Sequence, residues 1–189
     1  MNYYENNVLL FTAPDGFHKK FYAAFTFTSN GYFSQCPNGH TIIVMRSDGV
    51  GLNTSTTPGI HGQGMIFGNV FYAPNGIQVA PGGTQIETWF NNLADPGSLL
   101  LTPASGNPPP LLDGTPYTIM LMSDISEDRS TQTIRYLIWN NNIQIYDSGY
   151  VNDPNKYFDA TKNSMWIGHV FDSPGSWSVS INNLVVVLS

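Results

Sequence analysis

The 189-residue chain contains one cysteine, Cys36, so no internal disulfide can form. A lone thiol of this kind reads first as a small buried hydrophobe. The nearest histidine, His40, is separated from it by the turn signal Pro37-Asn38-Gly39, which does not build a thiol–imidazole pair. Charge is also scarce. Charged residues are 11% of the chain, where a globular domain usually has about 25%. Lys and Arg number 7 against 13 Asp and Glu, a net charge of −6. Nucleic-acid binding rests on basic groups that neutralise phosphates, and no basic patch is present, so that partner is excluded. No apolar run approaches the length of a membrane-spanning helix. The opening residues, MNYYENNVLLF, lack the basic segment and long apolar run of a secretory leader. No window sustains apolar residues at i, i+3, i+4 and i+7, so no helix is expected.

What the chain does contain points one way. Aromatics reach 13%, and Gly and Pro number 18 and 13. The stretch Thr115–Tyr146 holds two strand-like runs, Tyr117–Ser123 and Thr133–Trp139, joined by polar Asp124–Gln132. The short run Ile143–Tyr146 follows Asn140-Asn141-Asn142. β-Branched and aromatic runs broken by Asp, Ser and Asn describe an antiparallel meander. Its runs are nearly apolar on both faces, since Ile119, Leu121 and Ser123 alternate with Thr118, Met120 and Met122. Such a sheet is covered on both sides, or carries a groove on one.

Further strands are expected at Val8–Thr12, Phe21–Thr28, Thr41–Arg46, Met65–Tyr72, Ile77–Ala80, Thr84–Phe90, Met165–Phe171 and Ser176–Leu188. Turn signals such as Ala13-Pro14-Asp15-Gly16 separate them. The excursion Gly51–Gly64 is too polar and glycine-rich for a core element. The stretch Asn91–Gly114 is the least structured part, and a loop of that length is usually functional or mobile. With no repeat and no domain boundary, residues 1–189 read as one all-β domain, a two-sheet antiparallel sandwich or jelly roll.

The segment from Trp166 to Val186 resembles the closing strands of concanavalin A-like lectin/glucanase domains. An Ile-Gly pair, Ile167-Gly168, precedes a last strand with the polar pair Asn182-Asn183 and a run of valines. The Ile134–Tyr136 run with its short hairpin strand is similar to the pair that usually lies just before. Phe25-Thr26-Phe27 resembles the opening of the family. The resemblance spans about Phe21 to Leu188 and implies a jelly-roll sandwich of two antiparallel sheets, one concave. It also implies a sugar site on the concave face or its rim loops. The family includes lectin-like and laminin-G-like binders, glycoside hydrolases and polysaccharide lyases, and fold alone does not choose among them.

Retaining hydrolysis needs two carboxylates about 5 Å apart. Glu87 is the only acid within a confident strand, and its same-face neighbours are Gln85 and Trp89. Asp124, Glu127 and Asp128 lie in or beside a hairpin connection, where charges are usually solvated. A lyase needs a base and a charge-neutralising group. His61, in Ile60-His61-Gly62-Gln63-Gly64, could approach a ligand, although an exposed loop histidine is the plainer reading. Oxygen ligands alternate in Asp153-x-Asn155-x-Tyr157-x-Asp159. That run reads first as a surface turn, with a calcium loop near Asp153 and Asp159 as the alternative. The four histidines show no zinc spacing.

Saccharide binding remains. Apolar platforms with a few placed polar groups make such sites. Period-2 logic puts Gln85, Glu87, Trp89 and Asn91 on one face of a strand, opposite Ile86, Thr88 and Phe90. Arg46 closes its own strand and is a candidate to neutralise Glu87. Arg135 and Trp139 share a face in the meander, with Leu137 between them. The expected site is therefore Trp89, Glu87, Gln85 and Asn91 on the concave face, with loops Gly51–Gly64 and Asn91–Gly114 at its rim and Arg46, Trp139 and His61 as further candidates. Trp166 and Trp177 read as core. The leading expectation is a non-catalytic carbohydrate-binding domain without a required cofactor. A glycan-cleaving hydrolase or lyase, and an assembly module of a viral, phage-tail or surface protein that packs on copies of itself, are the alternatives.

Overall fold

The computed structural model describes residues 5–14, 16–35, 40–47, 62–68, 84–92, 95–101, 103–106, 108–153, 164–170 and 176–189. At 5–7, 35, 40–42, 62–68, 84–92, 95–101 and 169–170 it describes the backbone and not the side chains. The elements are β1 (Glu5–Thr12), β2 (Lys20–Asn30), the one-turn helix α1 (Tyr32–Gln35), β3 (His40–Ser47), β4 (Gly62–Gly68), β5 (Thr84–Asn92) and β6 (Asp95–Leu101). They continue with β7 (Pro116–Ile125), β8 (Gln132–Asn140), β9 (Ile143–Asp147), β10 (Val151–Asp153), β11 (Ser164–Val170) and β12 (Ser178–Leu188).

Two sheets form, and every strand pair in them is antiparallel. Sheet A has the order β1-β11-β3-β4-β5-β6. Sheet B has the order β10-β8-β7-β2-β12, with β9 also on β8. The chain changes sheet between β1 and β2, again before β3, and then from β6 to β7, from β10 to β11 and from β11 to β12. Repeated crossing is what lets sequence-distant strands lie side by side, and it buries the inner faces of both sheets together.

The inner faces follow from alternation. In β2, Phe21, Ala23, Phe25 and Phe27 are buried while Tyr22, Ala24, Thr26 and Thr28 are half-buried. Their partners across the ladder, Ile119 and Leu121 of β7, are likewise buried, as are Ile134, Tyr136 and Ile138 of β8. Sheet A contributes Ile43, Met45, Met165 and Ile167 to the same cluster. Each phenylalanine buried here contributes about 1.5–3 kcal/mol. Phe11 of β1 meets Phe21 edge-on at 6.2 Å, which ties the first strand of sheet A to sheet B.

Local chemistry sets the turns. Asn141 and Asn142 take φ of 48° and 65°, the left-handed pair that a two-residue hairpin turn between β8 and β9 requires. Between β7 and β8, Ser126 and Asp128 accept the amide of Ser130.

Four segments differ from the sequence reading, and one is β4, which begins at Gly62 inside the stretch read as a polar excursion. The stretch 91–114 contains β6, which pairs with β5 from Asn92↔Asp95 onward. Pro96 masked it in the sequence, yet an edge strand tolerates a proline. Its later part is pinned rather than loose. The Asp113 carboxylate accepts from Ser29 Oγ and from the amides of Phe33 at 3.2 Å and Ser34 at 2.9 Å, and Leu111 is buried. Burial pushes the Asp113 carboxyl up, but those hydrogen bonds outweigh it and hold the group below the usual carboxylate range. The other two differences are α1 and the three-residue β10, both too short for periodicity to reveal. The expected strand at 77–80, Cys36, and most of the excursion 51–64 lie outside the described residues.

Candidate functional site

The register of sheet A decides which face each position of β5 occupies. Ile43 of β3, an inner-face residue, stands opposite Met65 of β4, and Met65 opposite Ile86 of β5. Directly opposed residues share a face. Ile86 and Thr88 therefore fall on the inner face. Gln85, Glu87, Trp89 and Asn91 fall on the outer one, as alternation in the sequence predicts. On that outer face Glu87 stands opposite Gly64 and Leu100, and Trp89 opposite Gly62 and Ser98.

The outer positions of β4 are Gly62, Gly64, Ile66 and Gly68. Three of the four have no side chain, which lowers the floor beside β5 and admits close approach. The strands on the far side of β4 from β5 are different. Val44 of β3 and Trp166 of β11 oppose each other on this face, and both are 0% exposed. Trp166 Nε1 donates to Ser47 Oγ at 3.0 Å. The outer face is thus buried at Val44 and Trp166, and β4, with its alternate glycines, lies between those strands and β5. Gly62 and Gly64, expected in a rim loop over Gly51–Gly64, are instead the first outer-face positions of β4.

Arg46 does not join this face, and the expectation that it neutralises Glu87 is corrected. Simple alternation from Val44 would put Arg46 on the outer face. Arg46 instead has φ of 51°, at the point where the β3–β11 register slips between Ser164 and Trp166. The bulge turns the side chain inward. Arg46 is 1% exposed. Its Nε donates to Ser123 Oγ at 2.6 Å, Nη1 to the His18 carbonyl at 2.7 Å, and Nη2 to the carbonyls of Lys19 at 2.9 Å and Ser123 at 3.0 Å. Burial pushes its pKa down to about 10, which still leaves it charged at neutral pH, with Asp124 and Tyr22 offsetting part of the cost. It is a structural cation between the sheets.

Trp139 does not join that face either. It lies on β8, opposite Thr118 of β7 and Gln144 of β9, on the outer face of sheet B. It lines a shallow hollow of about 330 Å³ with Ala24, Thr118, Met120 and Asn142. Trp89 and Trp139 therefore occupy faces turned away from each other across the sandwich. Arg135 and Leu137 share the face of Trp139, as alternation predicts, but Arg135 is committed. Its Nε and Nη2 reach the two Asp147 oxygens at 2.9 and 2.6 Å. Tyr150 lies over its guanidinium at 5.3 Å. Nearby, Tyr22 donates to Asp124 at 2.8 Å. Burial first, and then that carboxylate, push the phenol up, so it stays a neutral donor.

The acids of the hairpin are local. Asp128 accepts from Ser126 Oγ at 2.6 Å and Ser130 Oγ at 2.7 Å, and these bonds pull its pKa down to about 2. Glu127, 84% exposed, pairs with Lys19 at 3.1 Å. Asp153 is 4% exposed. His61 and Asp159 lie outside the described residues. Among the described residues, no three His, Cys, Asp or Glu side chains gather as a metal site requires. Trp177 packs edge-on against buried Tyr32 at 4.7 Å, at the margin of the core.

No family model and no curated protein matches the sequence. Solved structures do match the fold. The carbohydrate recognition domain of Emp46p is 10% identical with a TM-score of 0.58, over 95% of this chain and 76% of that one. Peanut lectin, solved with a nine-residue peptide, is 13% identical with a TM-score of 0.53, over 92% and 75%. Alginate lyase Aly36B, solved with an alginate trisaccharide, is 12% identical with a TM-score of 0.52, over 94% and 73%. The shared element is the two-sheet antiparallel sandwich. The chain has the concanavalin A-like jelly-roll fold.

Proposed function

We propose that the chain is a non-catalytic carbohydrate-binding domain whose site lies on the outer face of sheet A, along β4 and β5. One observation carries the reading. On one face of β5 the sequence sets an amide, an acid, an indole and an amide, at Gln85, Glu87, Trp89 and Asn91, and the ladder puts Glu87 opposite Gly64 and Trp89 opposite Gly62. An indole offers a platform for the C–H face of a sugar ring, and amides and a carboxylate exchange hydrogen bonds with its hydroxyls. The glycines leave room for a ring to approach the backbone. Likeness in fold to a carbohydrate recognition domain and to a lectin supports the reading.

Likeness to an alginate lyase keeps glycan cleavage as a second reading. The positions around Glu87 on its face are Gln85, Trp89, Gly64 and Leu100, and none is an acid or a general base. That arrangement favours binding over cleavage. A glycan array of the purified chain tests both readings. Saturable binding that Trp89→Ala abolishes, with neither reducing ends nor unsaturated product released, is the expected result. Product release from a bound glycan would replace the first reading with the second, and no binding to any glycan would remove both.

A further inference from the structure

Positive charge is missing from a long part of this chain. Residues 47 to 128 contain no Lys or Arg, although acids such as Glu87, Asp95 and Asp113 occur among them. The span holds β4, β5 and β6 and every connection between β3 and β7. The proposed saccharide face of β4 and β5, and the segments that join those strands, are therefore built without a Lys or Arg side chain. The one histidine of the span is His61, and an ordinary histidine is mostly neutral at about pH 7.

The described cations are engaged elsewhere. Arg46, the last before the span, is 1% exposed and donates to Ser123 of sheet B and to the segment that enters β2. Arg129, the first after it, lies over the Phe17 ring at 4.4 Å. Lys19 pairs with Glu127, Arg135 pairs with Asp147, and Lys20 lies over the Tyr22 ring at 5.7 Å. Lys156 and Lys162 lie outside the described residues and precede β11, which β3 and β4 separate from β5. Acids of the span on the sheet B side have their own donors: Asp113 accepts from Ser34, Asp124 from Tyr22 and Asp128 from Ser130. Glu87 is set differently. The positions around it on its face are Gln85, Trp89, Gly64 and Leu100, and none carries a positive charge. A carboxylate beside an indole platform, with no cation at the neighbouring positions, favours a ligand that brings one.

Resting on the saccharide reading of this face, we infer that its ligand is an amino sugar, a hexosamine unit whose free protonated amine pairs with Glu87 while its ring lies on Trp89. Gly62 and Gly64, opposite Trp89 and Glu87, leave room for that ring. An N-acetylated unit has lost the charge. A uronate sets a second carboxylate against Glu87, on a chain that carries −6 overall. Like charges placed together select against that partner.

Calorimetric titration of the full chain at about pH 7, where amines are largely protonated and carboxyls ionised, tests it with oligomers of glucosamine, N-acetylglucosamine and mannuronate of equal length. The wild type is expected to bind the glucosamine oligomer about tenfold more tightly than the N-acetylated one, and the mannuronate oligomer least. Glu87→Gln is expected to bring the first two affinities within about twofold of each other. Glu127→Gln removes the same charge at a residue 84% exposed in the β7–β8 turn, and is expected to keep the wild-type preference. A lysine oligomer of the same length is expected not to displace the glucosamine oligomer. Tighter binding of the acetylated or uronate oligomer, or no binding of the glucosamine oligomer by a protein that binds another glycan, would overturn the inference and leave the saccharide reading standing. No binding of any glycan would remove both. Displacement by the lysine oligomer, or an equal loss in Glu127→Gln, would overturn it in favour of attraction by overall charge. Should Glu87→Gln fail to fold, the ranking of the three oligomers by the wild type still decides.

Discussion

Arg46 Nε donates to Ser123 Oγ at 2.6 Å, a bond that joins strand β3 of one sheet to strand β7 of the other through the middle of the sandwich. The same guanidinium holds the carbonyls of His18 and Lys19, so the segment entering β2 is fixed by it as well. A buried cation that donates to four neutral acceptors among the described residues is costly to desolvate and more costly to remove, because those acceptors are left unpaired. Arg46→Met is expected to destabilise the chain by about 3 kcal/mol. Arg46→Lys is expected to recover only part of that, since a point charge cannot span the acceptors as a planar fork does. Urea unfolding of the three proteins checks the order.

Asp113 and Asp147 both contribute to the acid limb of stability. Asp147 is held below its ordinary 3.8 mainly by its hydrogen bond from Arg135. For Asp113 the bonds from Ser29, Phe33 and Ser34 overcome the opposing effect of burial. Both therefore bind protons more weakly folded than unfolded. Their stabilisation is complete above the ordinary carboxylate value and is lost as pH falls through the folded values. Asp113→Asn is expected to lower Tm at pH 7 and to flatten the fall of Tm below pH 4. A variant as steep in acid as the wild type would show that Asp113 does not contribute.

The β8–β9 hairpin depends on two left-handed residues. Asn142, with φ of 65°, is expected to accept Gly within about 0.5 kcal/mol and to lose about 1–2 kcal/mol as Val, because a β-branched side chain resists that backbone. Thermal unfolding of Asn142→Gly and Asn142→Val distinguishes a backbone effect from a side-chain one.

Much of this architecture was legible from period-2 alternation. Phe21 to Phe27 and Ile119 to Ser123 point inward as their spacing predicts, and Arg135, Leu137 and Trp139 share a face. Alternation failed where the backbone leaves the strand conformation. At Arg46 a bulge reverses the face of one residue, and no composition signal announces it. Pro96 concealed β6, because a proline excludes a central strand but not an edge. Alternation also assigns faces within a strand without saying which sheet holds that strand. Trp89 and Trp139 therefore appeared as companions in the sequence and lie on opposite sides of the molecule. Gly62 and Gly64 were expected in a loop because glycine is rare inside strands, yet they open β4.

The central claim is that saccharide binds beside Trp89 on sheet A. Calorimetric titration of a glycan found on the array, into Trp89→Ala and Trp139→Ala in parallel, tests it most directly. The account predicts that Trp89→Ala loses binding while keeping the wild-type unfolding midpoint, and that Trp139→Ala binds as the wild type does. Binding that survives Trp89→Ala and disappears with Trp139→Ala would contradict it and move the site to the other face of the sandwich.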